Sequence, residues 1–224
     1  MGNLGRIGVA APLLLAMGML HASELSQKAD RLYASGIPEG AAAQMSATRL
    51  QQGGVRVVVF EDATGGSAEV AEAYAQAIQA AGVETEVIGQ CHAACAYAFL
   101  SGRSHRFGEG EQVNALLIPV ATRPGPDDLR KRWRGNEARR TLTDFAEPGA
   151  HSASATTVSS TGTAGTGTAA SRWGAEHGLL FTSSPPPLGP IFNTYYCDGS
   201  QGRDFTRCEL LPDADPRQLG ILSD

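Results

Sequence analysis

The residues best equipped for chemistry fall in three short runs. One is Gly65-Gly66-Ser67, a glycine pair ahead of a hydroxyl. The second is Cys91-His92-Ala93-Ala94-Cys95, and the third is the pair Cys197 and Cys208, which flank a turn-rich segment. A glycine pair lets the backbone come close to a ligand and aim N–H groups at developing negative charge. Placed on a helix, His92 and Cys95 would share a face, so Cys95 is a candidate thiol nucleophile with a base beside it. Ser67 is a candidate hydroxyl nucleophile, although a Ser ahead of an Ala-rich run suits helix capping better. His105 and His177 read as surface residues, and no base accompanies Ser101.

The cysteine count is even, and four cysteines allow three connectivities. The short turn-bearing stretch between Cys197 and Cys208 favours a local staple there. Cys91, just ahead of a predicted helix, is free to swing toward Cys95, so that pair is the expected second link; two packed thiols are the alternative. Three residues between Cys91 and Cys95 also suit some zinc sites. No second tight pair of Cys or His completes a ligand set, so neither a metal nor a cofactor is expected.

The elements that must position these groups follow from periodicity. Residues 55–60 (VRVVVF) are β-branched and almost wholly apolar, as in a strand buried on both faces of a parallel sheet. Residues 61–66 read as a turn. Residues 67–81 are an Ala-rich helix with a Ser cap and Gly82 as its stop. Residues 84–88 form a short strand, 93–100 a buried helix and 113–120 (VNALLIPV) a third strand. Such strand–helix alternation predicts an α/β fold with a parallel βαβ core. Upstream, residues 26–33 read as a short helix and 39–51 as another. Downstream, 128–145 look helical and carry six basic residues between 130 and 140, read as a solvated face. Residues 148–171 are nearly all Ser, Thr, Gly and Ala and are expected to stay disordered. Strands follow at 179–183, 191–197 and 205–211, the last two forming a Cys-bearing hairpin.

Residues 55–118 resemble the core of the Clp protease proteolytic subunit and crotonase superfamily. They are most similar to exported bacterial proteins related to the Clp subunit. The buried strand runs into Asp62-Ala63-Thr64-Gly65-Gly66-Ser67, where the family has Asn-Ser-Pro-Gly-Gly-Ser. Cys91-His92-Ala93-Ala94-Cys95 stands where the exported relatives carry Cys-x-Ser-Ala-Cys, and it is followed by Phe99-Leu100-Ser101-Gly102. The resemblance implies an oxyanion-type backbone at Gly65 and Gly66. It also places the nucleophilic Ser at Ala93 and the catalytic His near Leu116, where neither residue type stands. A pseudoenzyme that keeps a groove for an extended peptide or an acyl group is the expected function. Three rivals stand beside it: an active serine- or cysteine-type hydrolase using Ser67 or Cys95, an acyl-CoA enzyme of crotonase type, and an envelope interaction protein. The acyl-CoA reading is disfavoured, because coenzyme A chemistry is cytoplasmic and no catalytic Glu pair stands out.

The N-terminus sets the compartment. Residues 1–22 carry one charge, Arg6, then an apolar run over 7–20, then His21-Ala22-Ser23: the order of a cleavable signal peptide. The expectation is therefore a periplasmic or secreted protein with no membrane span after cleavage. The domain reading is signal peptide 1–22, core 23–147, disordered loop 148–171, and 172–224 as the remainder of the same domain. Loss of Arg6 moves the formal net charge from −5 to −6. A mildly acidic chain has no general electrostatic pull on nucleic acid. A peptide or an envelope protein is the partner expected; the sequence names none.

Overall fold

The computed structural model describes residues 24–36, 38–120, 123–132, 177–184, 191–198 and 205–223. Its spine is strand β3 (Val57–Gly65), flanked by β2 (Arg31–Ser35) and β4 (Glu84–Ala93), with β6 (Asn114–Val120) beyond β4. These four run parallel. The three-residue β5 (His105–Phe107) pairs with the first half of β4. Antiparallel strands extend both edges: β1 (Glu24–Lys28) on one side, and β7 (His177–Ser183), β8 (Phe192–Asp198) and β9 (Cys208–Leu210) on the other.

Helices α1 (Gly40–Gln51), α2 (Ala68–Ala81) and α3 (Ala94–Phe99) connect parallel strands that advance across the sheet in one direction. Right-handed crossovers then put all three helices on one face, and α1 packs on α2 and α2 on α3. The buried positions of α2 (Ala68, Ala71, Tyr74, Ala75 and Ile78) follow the helical period. Ser67 caps α2, its Oγ accepting the Val70 N–H at 3.4 Å, and Gly82 ends it in the left-handed conformation at φ 62°. A fourth helix, α4 (Pro126–Arg132), starts two residues before the predicted one. The rest of the basic segment, like residues 1–22 and the Ser/Thr/Gly/Ala run 148–171, lies outside the described residues.

The core lies between this face and the helices, with Phe60, Phe99, Phe181 and Leu116 all at most 1% exposed. Each such side chain contributes about 1.5–3 kcal/mol by leaving water. Alternation along β6 sends Ala115 and Leu117 to the opposite face, where they join Leu180 and Cys197 in a second, smaller cluster. Further along that opposite face Glu86 of β4, its side chain 8% exposed, is held by Arg31 from β2 and by Arg106 from β5. A buried carboxylate is tolerated there because two guanidiniums meet it.

Two local expectations change. Residues 26–33 are not helical: they form most of the β1–β2 hairpin, with Ala29 at φ 52° in its turn. Residues 61–66 do not turn away either, because β3 continues to Gly65 through a bulge at Asp62. Strand β4 likewise runs five residues past the predicted end. Among the described residues no helix is long and apolar enough to cross a membrane.

Candidate functional site

The carboxyl ends of parallel strands are where open α/β sheets present their ligand sites; here β3 and β4 end together, beyond the last β2–β3 pair, Ser35–Glu61. Gly36, just past β2, accepts the Thr64 N–H at 3.2 Å. Gly65 at the end of β3 pairs with Ala93 at the end of β4. Gly65 and Gly66 both hold positive φ, 89° and 88°. A Cβ on Gly66 would lie 2.8 Å from the Ala94 Cβ and 3.2 Å from the Pro38 carbonyl oxygen. The glycine at this position is thus required both by conformation and by the approach of the β2–α1 loop and α3.

Ala93 is the joint between β4 and α3, with φ 57° and ψ −110°. An L-residue is disfavoured there, at a cost of about 1–3 kcal/mol. Sharp strand-to-helix joints of this kind lift a nucleophile out of a sheet. The side chain at this joint is a methyl group, so the elbow has no atom that can attack. The sheet partner on the far side is equally inert: Leu116 pairs with Cys91, is fully buried, and belongs to the main core.

Neither cysteine of the Cys91–Cys95 run is a free thiol. Cys91 and Cys95 form a disulfide with Cα atoms 5.3 Å apart, and neither is exposed. The link spans the Ala93 joint, tying the end of β4 to the first turn of α3. Its two sulfurs are bonded to each other, and no cluster of three His, Cys, Asp or Glu suited to a metal occurs among the described residues. His92 is on β4, not on a helix with Cys95, and its Nε2 lies 3.0 Å from Gln90 Oε1. Alternation along the strand sends His92 to the face opposite Cys91. Burial first, and the Glu72 carboxylate second, hold the Tyr97 phenol above its ordinary pKa.

The second disulfide joins Cys197 and Cys208, directly opposite each other on β8 and β9. His105 is half-buried: its Nδ1–H donates to the Ile221 carbonyl at 2.7 Å, and burial keeps its pKa below the ordinary 6.5. His177 sits with its Nδ1 2.9 Å from Asp198 Oδ1. Ser101 donates its hydroxyl to the Ala98 carbonyl.

Sequence reasoning missed the groups that align the site. Asp62, at φ 47° in the β3 bulge, accepts the Gln90 N–H through Oδ1 at 3.0 Å. Asn114 on β6 accepts the neighbouring Gly89 N–H at 2.9 Å. Gly89 has φ 71°, and a Cβ there would fall 2.1 Å from Asp62 Oδ1. Side chains from β3 and β6 therefore supply partners where β4 is distorted, and this lets β4 continue to the joint. The available signal was a lone glycine inside a strand pattern, which marks a bulge or a close approach.

No family model and no curated protein matches the sequence. Among solved structures, the chain is similar to one assigned as an enoyl-CoA hydratase from Streptomyces avermitilis. The identity is 14% and the TM-score 0.36, over 52% of this chain and 57% of that one. A structure assigned as an enoyl-CoA hydratase/isomerase from Mycobacterium abscessus gives 9% identity and a TM-score of 0.31, over 42% and 49%. One assigned as an enoyl-CoA hydratase from Streptomyces coelicolor A3(2) gives 11% and 0.31, over 49% and 51%. The chain thus spans about half the length of each (57%, 49% and 51%). The fold class, α/β with a largely parallel central sheet, rests on the strand order and connectivity described above.

Proposed function

We propose that the chain is an exported, catalytically silent member of the Clp-protease and crotonase superfamily. Its binding surface for an extended peptide or an acyl group is the region of Gly65, Gly66 and Ala93, where β3 and β4 end. The observation that carries this is Ala93: a strained strand-to-helix elbow beside a positive-φ glycine pair, with no nucleophile on it. A disulfide occupying Cys95 and an aliphatic core residue at position 116 support the same reading. Export is supported by the N-terminal pattern and by two disulfides, which persist in oxidising compartments. One rival reading is a hydrolase acting through Ser67, whose oxygen caps α2.

The test is activity-based labelling of protein purified from the envelope fraction. A fluorophosphonate should leave no adduct, with or without prior reduction, and an iodoacetamide probe should label only after reduction. Ala93→Ser should gain no turnover on ester or peptide substrates, because no base accompanies the new hydroxyl. A stoichiometric fluorophosphonate adduct on the unmodified chain would end the proposal. Intact mass of the same material should place the N-terminus at Ser23 or within a few residues of it.

A further inference from the structure

Among the described residues, β1 is the outermost strand on its side of the sheet and pairs with β2 alone. The neighbouring ladders show which backbone groups it leaves open. The carbonyls of Asp30 and Gly36, at either end of β2, accept N–H groups from Val57 and Thr64 of β3. Backbone direction alternates along a strand, so Arg31, Tyr33 and Ser35 turn theirs toward β1. Their register partners are Lys28, Ser26 and Glu24. The N–H and C=O groups of Leu25 and Gln27 therefore point away from the sheet, as a template for a further strand.

The side chains of β1 match an antiparallel copy of the same strand. Glu24, Ser26 and Lys28 share one face, and Leu25 and Gln27 the other. Pairing centred on Ser26 sets Glu24 of each copy directly opposite Lys28 of the other. These positions exchange no backbone bonds, so their side chains approach most closely. Among the described residues neither makes an ion pair: Lys28 Nζ lies 5.3 Å from the Tyr33 ring centroid, and Glu24 accepts the Ser35 hydroxyl through its backbone carbonyl. Centring on Leu25 or Gln27 instead would set Glu24 or Lys28 against Ser26, and larger slips would bring like charges together. On the other face, Met45 of α1 is 52% exposed and borders an open groove of about 740 Å³ with Leu25, Gln27 and Leu32.

We propose that two copies of this chain pair through β1 into a two-fold dimer with one continuous sheet. Leu25 of each copy exchanges backbone hydrogen bonds with Gln27 of the other, and Glu24 of each meets Lys28 of the other. The two-fold axis runs normal to the sheet at Ser26. Both α1 helices then stand on the same face, and the two Met45 side chains leave water at the join. The contact is isologous, with one patch supplying both halves. It also closes an edge otherwise open to other chains.

The test is sedimentation velocity from about 5 to 500 μM on disulfide-intact protein from the envelope fraction. A dimer with a dissociation constant of about 100 μM or below is expected. Glu24→Lys and Lys28→Glu should each weaken it at least tenfold, because like charges then face each other. An equimolar mixture of the two variants should associate at least as tightly as the parent, since every charge again meets its opposite. Gln27→Pro removes an outward N–H that β2 does not use and should weaken the dimer at least tenfold, with Tm within a few degrees of the parent. Amide exchange at Leu25 and Gln27 should slow as protein concentration rises. A monomer throughout the range, parent affinity in Lys28→Glu, or no association in the mixture would each overturn the proposal. Slow exchange of those two amides in the monomer would overturn it too, because another segment of the same chain would then cover the edge.

Discussion

Replacing Ala93 by glycine should make this protein more stable, against the usual direction of an Ala→Gly change. At φ 57° and ψ −110° the Cβ of Ala93 crowds its own backbone, and relief of that crowding is worth about 2 kcal/mol, the middle of the 1–3 range. Two terms oppose it. A glycine adds conformational freedom to the unfolded chain, costing about 0.4–1 kcal/mol. Loss of a half-buried methyl costs about 0.4 kcal/mol more. The balance is about 1 kcal/mol of stabilisation, a rise in Tm of about 2–4 °C for a chain of this size. Thermal and urea unfolding followed by circular dichroism, with both disulfides intact, measure it. Ala93→Val should go the other way by about 2 kcal/mol, since a β-branched side chain suffers most at positive φ. An Ala93→Gly variant less stable than the parent would show that the joint is relaxed, and the elbow argument would fail with it.

Gly66→Ala should destabilise by about 2 kcal/mol or more, because the new Cβ meets the Ala94 Cβ at 2.8 Å on a backbone at φ 88°; equal urea midpoints for the two proteins would refute this. Replacing Cys197 and Cys208 by Ser should cost about 3 kcal/mol from chain entropy, with the two cysteines 11 apart in sequence. The Cys91–Cys95 pair, 4 apart, closes a shorter loop and should cost about 2 kcal/mol; double-mutant unfolding curves separate the two. His105 makes stability depend on pH. Burial lowers its folded pKa below 6.5, with the Ile221 carbonyl pulling partly the other way. As pH falls the unfolded chain therefore takes up the proton first. The contribution is complete above about pH 6.5 and is lost as pH falls through the folded value. Urea midpoints at pH 7.5 and 5 should differ less in His105→Asn than in the parent.

The local signals that resolved correctly were those whose cause is local. Ser67 and Gly82 mark the ends of α2 because a side-chain cap and a left-handed stop act within one turn. The apolar runs of β3 and β6 announce strands buried on both faces, because such a strand has no solvent face to pattern. The absence of a hydroxyl at position 93 is likewise a fact of the sequence.

What the sequence left undecided depends on partners distant along the chain. Leu25, Lys28, Ala29 and Leu32 have helical spacing, yet residues 31–35 become strand β2 because they pair with 57–61 of β3; a ladder that far off in sequence has no local signature. Residues 61–66 and 89–93 stay extended because Asp62 and Asn114 satisfy backbone N–H groups that the bulges leave without ladder partners. His105 looked like a surface histidine and is covered because the chain returns 116 residues later to place the Ile221 carbonyl on it. The conformation of Ala93 itself is a tertiary outcome. Only the convergence of β3, β4, α3 and the Cys91–Cys95 link holds an alanine where the backbone alone would not put it.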